Sequence, residues 1–391
     1  MKYNFDEIID RTHTNSTKYD AGALYNKYLP EEYIPMWVAD MDFACPQAML
    51  DAMKARIDRR ILGYGNYTST LPQEYFDAII NWLKRRHNID AKRENIAFAT
   101  SLMNAVREAV GVMSHDGEGV MVHTPQYPWI YYPIYEYQRN VTELPLIETD
   151  GYYTIDFDAF EKEASKVENT LLIFCSPHNP SGRVWTEAEL KRLAGICFEN
   201  DVKIFVDEIH SDIVRKSADM ISLTALYPGD PRIVTATSTS KTFNAAGNCH
   251  SYVITYDKKL KQLFDDCKYC PSPNPLSVAA LIAAYNECED WLDEVNLYID
   301  DNIDYLEKYL RENLPKVKFR KPEGTYLCWM DMRAYGLSED DLNKKISQAG
   351  LYLEYGSEFV GNGDGFARMN VACPRSTLKK ACEILKRALE D

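Results

Sequence analysis

The chain has 391 residues, of which 46% are hydrophobic and 26% are charged, and its formal net charge is −15. The composition is that of an ordinary soluble protein, and the length predicts one large domain with a smaller domain packed against it. The negative charge argues against a protein that binds nucleic acid or an anionic membrane surface. No apolar run approaches the length of a membrane span.

The ten cysteines are scattered without the spacing of a disulfide framework, and no signal peptide precedes them. We therefore expect a reduced, cytoplasmic protein. The segment from Cys267 to Cys270 has the CxxC spacing of redox and zinc sites. Because no second CxxC and no histidine pair at ligand spacing accompanies it, we predict no metal site.

The first part of the chain contains Pro30, Pro35 and Pro46 and lacks a strong hydrophobic period. This pattern predicts an arm of ~45 residues that packs on the smaller domain. Strand patterns follow, first from Ile96 to Phe98 and then from Val120 to Val122.

The middle of the chain alternates strand and helix patterns. Its strands are the apolar runs Leu171 to Phe174, Val202 to Val206 and Ile233 to Thr237. Continuous apolar runs are typical of strands that are covered on both faces. Between the first two strands, the capping box from Thr186 to Glu189 predicts the start of a helix. This succession predicts a mostly parallel sheet in an α/β protein.

Residues with chemically useful side chains follow several of these strands directly. They are Tyr127, Asn179, Asp207 and Lys241. In open α/β sheets, ligands bind outside the carboxyl ends of the strands. We therefore expect these four side chains to converge on one site.

The pattern changes near the last quarter of the chain, where it predicts an α+β arrangement. The predicted elements are a long helix from Trp291 to Leu314, strands at 317–319 and 326–330, a helix at 340–349, a strand from Phe366 to Val371 and a helix from Thr377. We therefore divide the chain into a large domain at 47–290 and a smaller domain made from 1–46 and 291–391.

The proposed chemistry depends on Lys241. Its amine can form a Schiff base with a carbonyl, and the residues upstream suit pyridoxal phosphate as the source of that carbonyl. Once released, the amine is well placed to take the α-proton of an amino-acid substrate. Ser238 and Ser240 offer hydroxyl donors to the cofactor phosphate.

Four further residues have roles in this hypothesis, and each has a structural alternative. Asp207 pairs with the pyridine nitrogen, or it caps a loop. Asn179 donates to the phenolic oxygen, or it belongs to an ordinary turn. Tyr127 stacks on the pyridine ring, or it is a core residue. His210 reaches the cofactor hydroxyl, or it is a packing histidine.

The phosphate and the substrate carboxylate need further partners. Ser101, Leu102 and Met103 lie where a strand passes into a helix, and backbone amides at a helix N-terminus suit a phosphate. Arg368 is an isolated charge in an apolar strand. Such an arginine needs an anionic partner, which is a substrate carboxylate or an acidic residue in a salt bridge.

Ordered motifs along nearly the whole chain resemble a known family. They are Pro35 to Phe43, Gly63-Tyr64, Ser176 to Trp185, Asp207 to Asp212, Ser240 to Asn244 and Gly365 to Arg375. Together they resemble fold-type I pyridoxal-phosphate enzymes, and within them the MalY/PatB group of C–S β-lyases, which are cystathionine β-lyase-like. The resemblance implies an aminotransferase-like α/β fold with a mostly parallel seven-stranded sheet and a smaller α+β domain.

The resemblance implies the functional roles described above and adds others. Tyr64 is expected to reach the cofactor phosphate of the neighbouring subunit in a homodimer. The backbone of Ala39 is expected near the substrate carboxylate, where Asn179 and Arg368 also bind. The chain departs from the family pattern at Thr100 to Asn104, in the phosphate loop, and at Gly247 to His250.

The implied reaction is α,β-elimination from cystathionine or a related L-cysteine S-conjugate, which yields a thiol, pyruvate and ammonia. A class I/II aminotransferase is the first alternative, because it shares the Schiff base and the carboxylate site. A regulator that binds pyridoxal phosphate without turnover is the second alternative.

Overall fold

The computed structural model describes residues 2–65, 70–266 and 272–390. The CxxC segment from Cys267 to Cys270 lies outside the described residues. The strands are β1 (Ile34–Pro35), β2 (Ile96–Ala99), β3 (Gly119–Thr124), β4 (Asn140–Pro145), β5 (Ile147–Thr149), β6 (Tyr152–Thr154), β7 (Asn169–Cys175), β8 (Lys203–Asp207), β9 (Ile233–Thr237), β10 (Ser251–Thr255), β11 (Lys318–Phe319), β12 (Leu327–Asp331), β13 (Leu351–Tyr352), β14 (Glu354–Tyr355) and β15 (Phe366–Asn370).

Helices cover these strands. They are α1 (Thr17–Asp20), α2 (Gly22–Tyr25), α3 (Gln47–Ile57), α4 (Gln73–His87), α5 (Leu102–Met113), α6 (Tyr131–Glu136), α7 (Phe157–Ala164), α8 (Glu187–Glu199), α9 (Leu223–Leu226), α10 (Thr239–Thr242), α11 (Lys258–Asp265), α12 (Pro275–Glu287), α13 (Glu289–Asn313), α14 (Glu339–Gln348) and α15 (Arg375–Glu390). None of those within the described ranges combines the length and the apolar character of a membrane span.

The main sheet has seven strands in the order β2-β10-β9-β8-β7-β3-β4. The strands from β9 to β4 in this order run parallel, whereas β10 is antiparallel to both of its neighbours. The predicted α/β class with a mostly parallel seven-stranded sheet is therefore confirmed. Two strands of this sheet, β4 and the antiparallel β10, were not among the predicted strands.

Strand β7 shows why these strands lie in the centre of the molecule. Side chains alternate between the two faces of a strand. Leu171 and Ile173 pack into the apolar core on one face of the sheet, and Leu172 and Phe174 pack into the core on the other. Because both faces are covered, the positions from Leu171 to Phe174 are all apolar, which explains the unbroken apolar run.

A second sheet, of four antiparallel strands in the order β11-β12-β15-β14, lies in the C-terminal part of the chain. Helix α13 matches the predicted long helix closely. The N-terminal segment joins this region, since Ile34 and Pro35 of β1 pair with Leu351 and Tyr352 of β13. The division into domains at 47 and 291 stays a prediction.

Trp82 of α4 connects the helical core to the segment that carries Lys241. Its side chain is 1% exposed. The ring stacks on Tyr285 at a centroid distance of 4.7 Å and contacts Phe243 at 5.6 Å. Removing this ring would leave a large cavity at the junction.

We predict that Trp82→Ala lowers the free energy of unfolding by about 3–5 kcal/mol, because the lost contacts cannot be replaced by collapse of the surroundings. Denaturant unfolding followed by circular dichroism measures the change. Val167→Ala is the control, since Val167 is 93% exposed, and its effect should stay within about 0.5 kcal/mol. Equal effects of the two substitutions would contradict the prediction.

Candidate active site

A cavity of about 790 Å³ opens at the carboxyl ends of the parallel strands. Its volume is in the usual range for a small-molecule site. Most of the predicted site residues line it: Lys241, Asp207, Asn179, His210, Tyr127, Ser240, Ser101, Leu102, Met103, Arg368 and Ala39. The structure thus brings together side chains from the main sheet, the N-terminal segment and the second sheet.

Lys241 lies in the short helix α10, directly after strand β9. Its Nζ donates a hydrogen bond of 2.6 Å to the carbonyl oxygen of Ala39. Burial is the main cause that lowers the pKa of Lys241 to about 8; nearby Arg368 lowers it further, while Asp40 and Asp207 oppose the shift. A substantial fraction of the amine is therefore neutral near physiological pH, as a nucleophile or a base requires.

The Ala39 carbonyl is held from several directions. It also accepts a hydrogen bond of 3.0 Å from Tyr326 Oη. Asn370 Nδ2 donates to the carbonyls on either side, Val38 O at 2.7 Å and Asp40 O at 2.8 Å. The segment facing Lys241 is therefore fixed to the second sheet, which makes the position of the amine well defined.

Asp207 is the last residue of β8 and is 6% exposed. Its Oδ1 accepts a hydrogen bond of 3.0 Å from the Ile209 backbone N–H. Burial raises the pKa of Asp207 to about 7, although Lys241 counteracts the shift. A buried carboxylate that has no ion pair within the described ranges is suited to a positively charged ligand group.

Arg368 and Asn179 form a connected pair. Arg368 Nη1 donates to Asn179 Oδ1 at 2.8 Å, and Nη2 donates to Trp37 O at 2.9 Å. The guanidinium also forms an ion pair with Glu354, its cross-strand neighbour. The structural salt bridge considered for Arg368 therefore exists. Binding of a substrate carboxylate by Arg368 stays a prediction.

His210 lies beneath the same cavity and is 4% exposed. Burial lowers the pKa of His210 well below its usual value, so the ring is neutral. Tyr326 packs against it edge to face at 5.9 Å. The Nδ1 atom of His210 has no hydrogen-bond partner in the described part of the chain. Buried polar atoms are rarely left unpaired, so this nitrogen is available to a ligand hydroxyl.

One wall of the cavity suits a phosphate group. Ser101 is the N-cap of α5, and its Oγ accepts a hydrogen bond of 3.1 Å from Asn104 N–H. Leu102 and Met103 form the first turn of this helix, where backbone N–H groups have no partner inside the helix. Ser240 also faces the cavity.

Two predicted residues are not brought to the cavity. Ser238 is the N-cap of α10, where its Oγ donates to His250 O at 2.5 Å and accepts from Ser240 N–H at 2.9 Å. These backbone partners engage its hydroxyl, and Ser238 is not among the residues that line the cavity. The side chain of Tyr64 is fully exposed and lies outside the cavity of its own chain.

The donor set fits pyridoxal phosphate. The amine of Lys241, the buried carboxylate of Asp207 and the unpaired nitrogen of His210 match the aldehyde, the ring nitrogen and the hydroxyl of that cofactor. The first turn of α5 matches its phosphate. The individual roles stay predictions.

The sequence analysis missed several cavity residues, among them Gln126, Trp129, Tyr132, Glu354 and Glu358. Glu354 could have been identified from the sequence, because it is the single acidic residue in the apolar run from Leu351 to Tyr355. Arg368 was identified in the same way, as the single basic residue in its strand. Nothing in the local pattern of the other residues distinguishes them from surface side chains.

Comparisons with known proteins agree with this geometry. The family model for aminotransferase class I and II matches residues 31–385. Cystathionine beta-lyase PatB of Bacillus subtilis (strain 168) is 37% identical over 392 residues, which cover 99% of this chain and 100% of that protein.

Two solved structures are similar over the whole chain. The C–S lyase from Staphylococcus hominis, bound to pyridoxal phosphate and L-cycloserine, has a TM-score of 0.94 at 37% identity, with 99% of this chain and 98% of that chain covered. Cystalysin from Treponema denticola, which contains pyridoxal 5′-phosphate, has a TM-score of 0.94 at 33% identity, with 100% of both chains covered. The chain belongs to the aminotransferase class I and II family.

Proposed function

We propose that this protein is a pyridoxal-phosphate-dependent C–S β-lyase, which cleaves cystathionine or a related L-cysteine S-conjugate to a thiol, pyruvate and ammonia. One observation carries the proposal. The buried amine of Lys241, whose pKa is lowered to about 8, shares a cavity with Asp207 and Arg368. Relatives that match over nearly the whole chain are named as lyases of this kind.

The cofactor would be held by residues that end or follow five strands of the main sheet, β2, β3, β7, β8 and β9. They are Lys241, Asp207, His210, Asn179, Tyr127, Ser240, Ser101, Leu102 and Met103. When bound, pyridoxal phosphate supplies an electron sink for the negative charge that develops at the α-carbon of the substrate.

The side chains of this protein then perform distinct tasks. Arg368 orients the substrate through its carboxylate. The Lys241 amine takes the α-proton, for which its lowered pKa is appropriate. Asp207 keeps a proton on the ring nitrogen, because a buried carboxylate stabilises a neighbouring cation. The thiolate then leaves from the β-carbon, and water hydrolyses the resulting enamine to pyruvate and ammonia.

We further propose that the active unit is a homodimer in which Tyr64 reaches the neighbouring cavity. Tyr64 is fully exposed in its own chain, and the preceding Ile61 and Leu62 are 70% and 64% exposed. A contiguous exposed apolar segment of this kind is typical of a protein interface.

The cytoplasm is the location that we propose. All eight cysteines within the described ranges are free thiols. Free thiols persist where the cell keeps them reduced.

We predict that Lys241→Ala abolishes the visible absorbance of the lysine-bound cofactor and all pyruvate release from cystathionine, because the cavity then has no amine that can bind the cofactor aldehyde or take the α-proton. Absorbance spectra and a pyruvate assay measure both effects. Lys258→Ala is the control, since Lys258 is exposed at the start of α11, and both signals should be retained. If the absorbance persists in Lys241→Ala, another lysine carries the cofactor.

The lowered pKa of Lys241 also predicts how the apoprotein takes up its cofactor. Only a neutral amine adds to an aldehyde, and the neutral fraction increases as the pH rises through the pKa of about 8. The rate of cofactor loading should therefore rise between about pH 7 and pH 9 and then level off. Absorbance measured against time at each pH tests this. An increase that continues beyond about pH 10, as for an unperturbed lysine, would contradict it.

The dimer proposal predicts complementation between two inactive variants. In a mixed dimer of Lys241→Ala and Tyr64→Ala subunits, one cavity contains both native residues if Tyr64 acts across the interface. Unfolding and refolding the two variants together should therefore restore about one quarter of wild-type activity, since half of the dimers are mixed and each has one complete site. The same mixture without refolding is the control. No recovery, or a monomeric mass in solution, would refute the proposal.

A further inference from the structure

The cavity lining includes an acidic side chain that the proposed reaction does not use. The basic residues among the described lining residues are Lys241 and Arg368, and the acidic ones are Asp207, Glu354 and Glu358. Glu354 is paired with Arg368, and Asp207 interacts with Lys241. Glu358 therefore remains as the surplus acid.

Glu358 has no ion pair within residues 2–65, 70–266 and 272–390. Glu358 is exposed as a residue, but partial desolvation of its carboxylate is the main cause that raises its pKa to about 7; a backbone hydrogen bond at Tyr355 opposes the shift and the charge of Glu339 adds to it. Among the residues that the structure describes, no cation contributes to this shift. A positive group that entered the cavity would therefore be stabilised beside it.

The backbone that carries Glu358 is fixed in place. Val360 and Gln126 exchange backbone hydrogen bonds of 2.9 and 3.0 Å. The N–H of Ser357 donates to Glu339 Oε1 at 2.7 Å. A side chain on Gly356 would collide with Gly363, so the turn is tightly closed. A fixed backbone reduces the conformational cost of binding a ligand at Glu358.

Aromatic rings surround the same opening. Trp129 and Tyr132 line the cavity, are 52% and 68% exposed, and stack on each other at 5.3 Å. Tyr25, which is 66% exposed, packs against Trp37 at 5.4 Å. The electron-rich faces of such rings attract cations. The Glu358 carboxylate and these aromatic rings therefore both favour a positively charged ligand.

We propose that Glu358, together with Trp129, Tyr132 and Tyr25, forms a distal subsite for S-conjugates whose leaving thiol carries a positively charged amine. The proposal rests on the proposed function and names its substrate class. The carboxylate of the reacting amino acid binds at the inner end of the cavity. The amine beyond the sulfur atom binds at the mouth, and a carboxylate in the same position is disfavoured.

The test compares three conjugates of similar size with the holoenzyme: S-(2-aminoethyl)-L-cysteine, S-propyl-L-cysteine and S-carboxymethyl-L-cysteine. Pyruvate release gives kcat/KM for each. Glu358→Gln should lower kcat/KM for the aminoethyl conjugate by about three- to fivefold, as for a partly exposed ion pair. The propyl conjugate should change by less than about twofold, and the carboxymethyl conjugate should improve. Comparing each substrate with itself removes differences in leaving-group ability.

Asp364→Asn is the matched control, because Asp364 is an exposed acid in the same loop that does not line the cavity. It changes the net charge equally and should leave the three values unaltered. If Glu358→Gln does not fold, the wild-type enzyme still provides a test. Added salt should lower kcat/KM for the aminoethyl conjugate more than for the propyl conjugate.

Two kinds of failure are distinguishable. Absence of pyruvate from all three conjugates would overturn the proposed lyase activity, and the subsite with it. Pyruvate from all three, with equal effects of Glu358→Gln on each or with the same selectivity change in Asp364→Asn, would overturn the subsite alone. Equal salt dependence of the aminoethyl and propyl conjugates would also overturn it.

Discussion

The site depends on the burial of Lys241, Asp207 and Arg368 in one cavity. Burial lowers the pKa of Lys241 to about 8 and that of Arg368 to about 10, and it raises the pKa of Asp207 to about 7. Each group would lose its charge more readily than in water, because low polarity penalises an isolated ion. The described residues compensate these charges in part, since Arg368 pairs with Glu354 and Asp40 favours the charged form of Lys241, and a charged ligand would add to this compensation. A zwitterionic ligand that matches these charges would therefore be held in one orientation.

The architecture explains how such residues come together. Parallel strands end at the same edge of a sheet, so β8 and β9 deliver Asp207 and the helix with Lys241 to neighbouring positions. The second sheet contributes Arg368 from the opposite side. The Ala39 segment lies between them and is hydrogen-bonded to both. The cavity is therefore a product of tertiary contacts, and no single element forms it.

Much of this could be predicted from the sequence, because buried parallel strands leave an unmistakable pattern. The runs at β7, β8 and β9 were located to within two residues, and the capping box at Thr186 marks the true start of α8. Strands β4 and β10 were missed. Strand β4 lacks a buried apolar run, and the antiparallel direction of β10 depends on its pairing with β2 and β9 rather than on its own residues. The same reason applies to Glu354. Its pairing with Arg368 depends on the register between two short strands, which local sequence does not encode.

The hydrogen bond from Lys241 to Ala39 joins positions that are 202 residues apart, and the bond from Arg368 to Trp37 joins positions that are 331 apart. A partly folded chain cannot have these contacts, because both ends of the polypeptide must be in place first. A ligand that binds there recognises the completed molecule alone and shifts the folding equilibrium towards it by mass action. The supply of vitamin B6 in the cell would then influence how many copies of this protein survive, as well as how fast each one works.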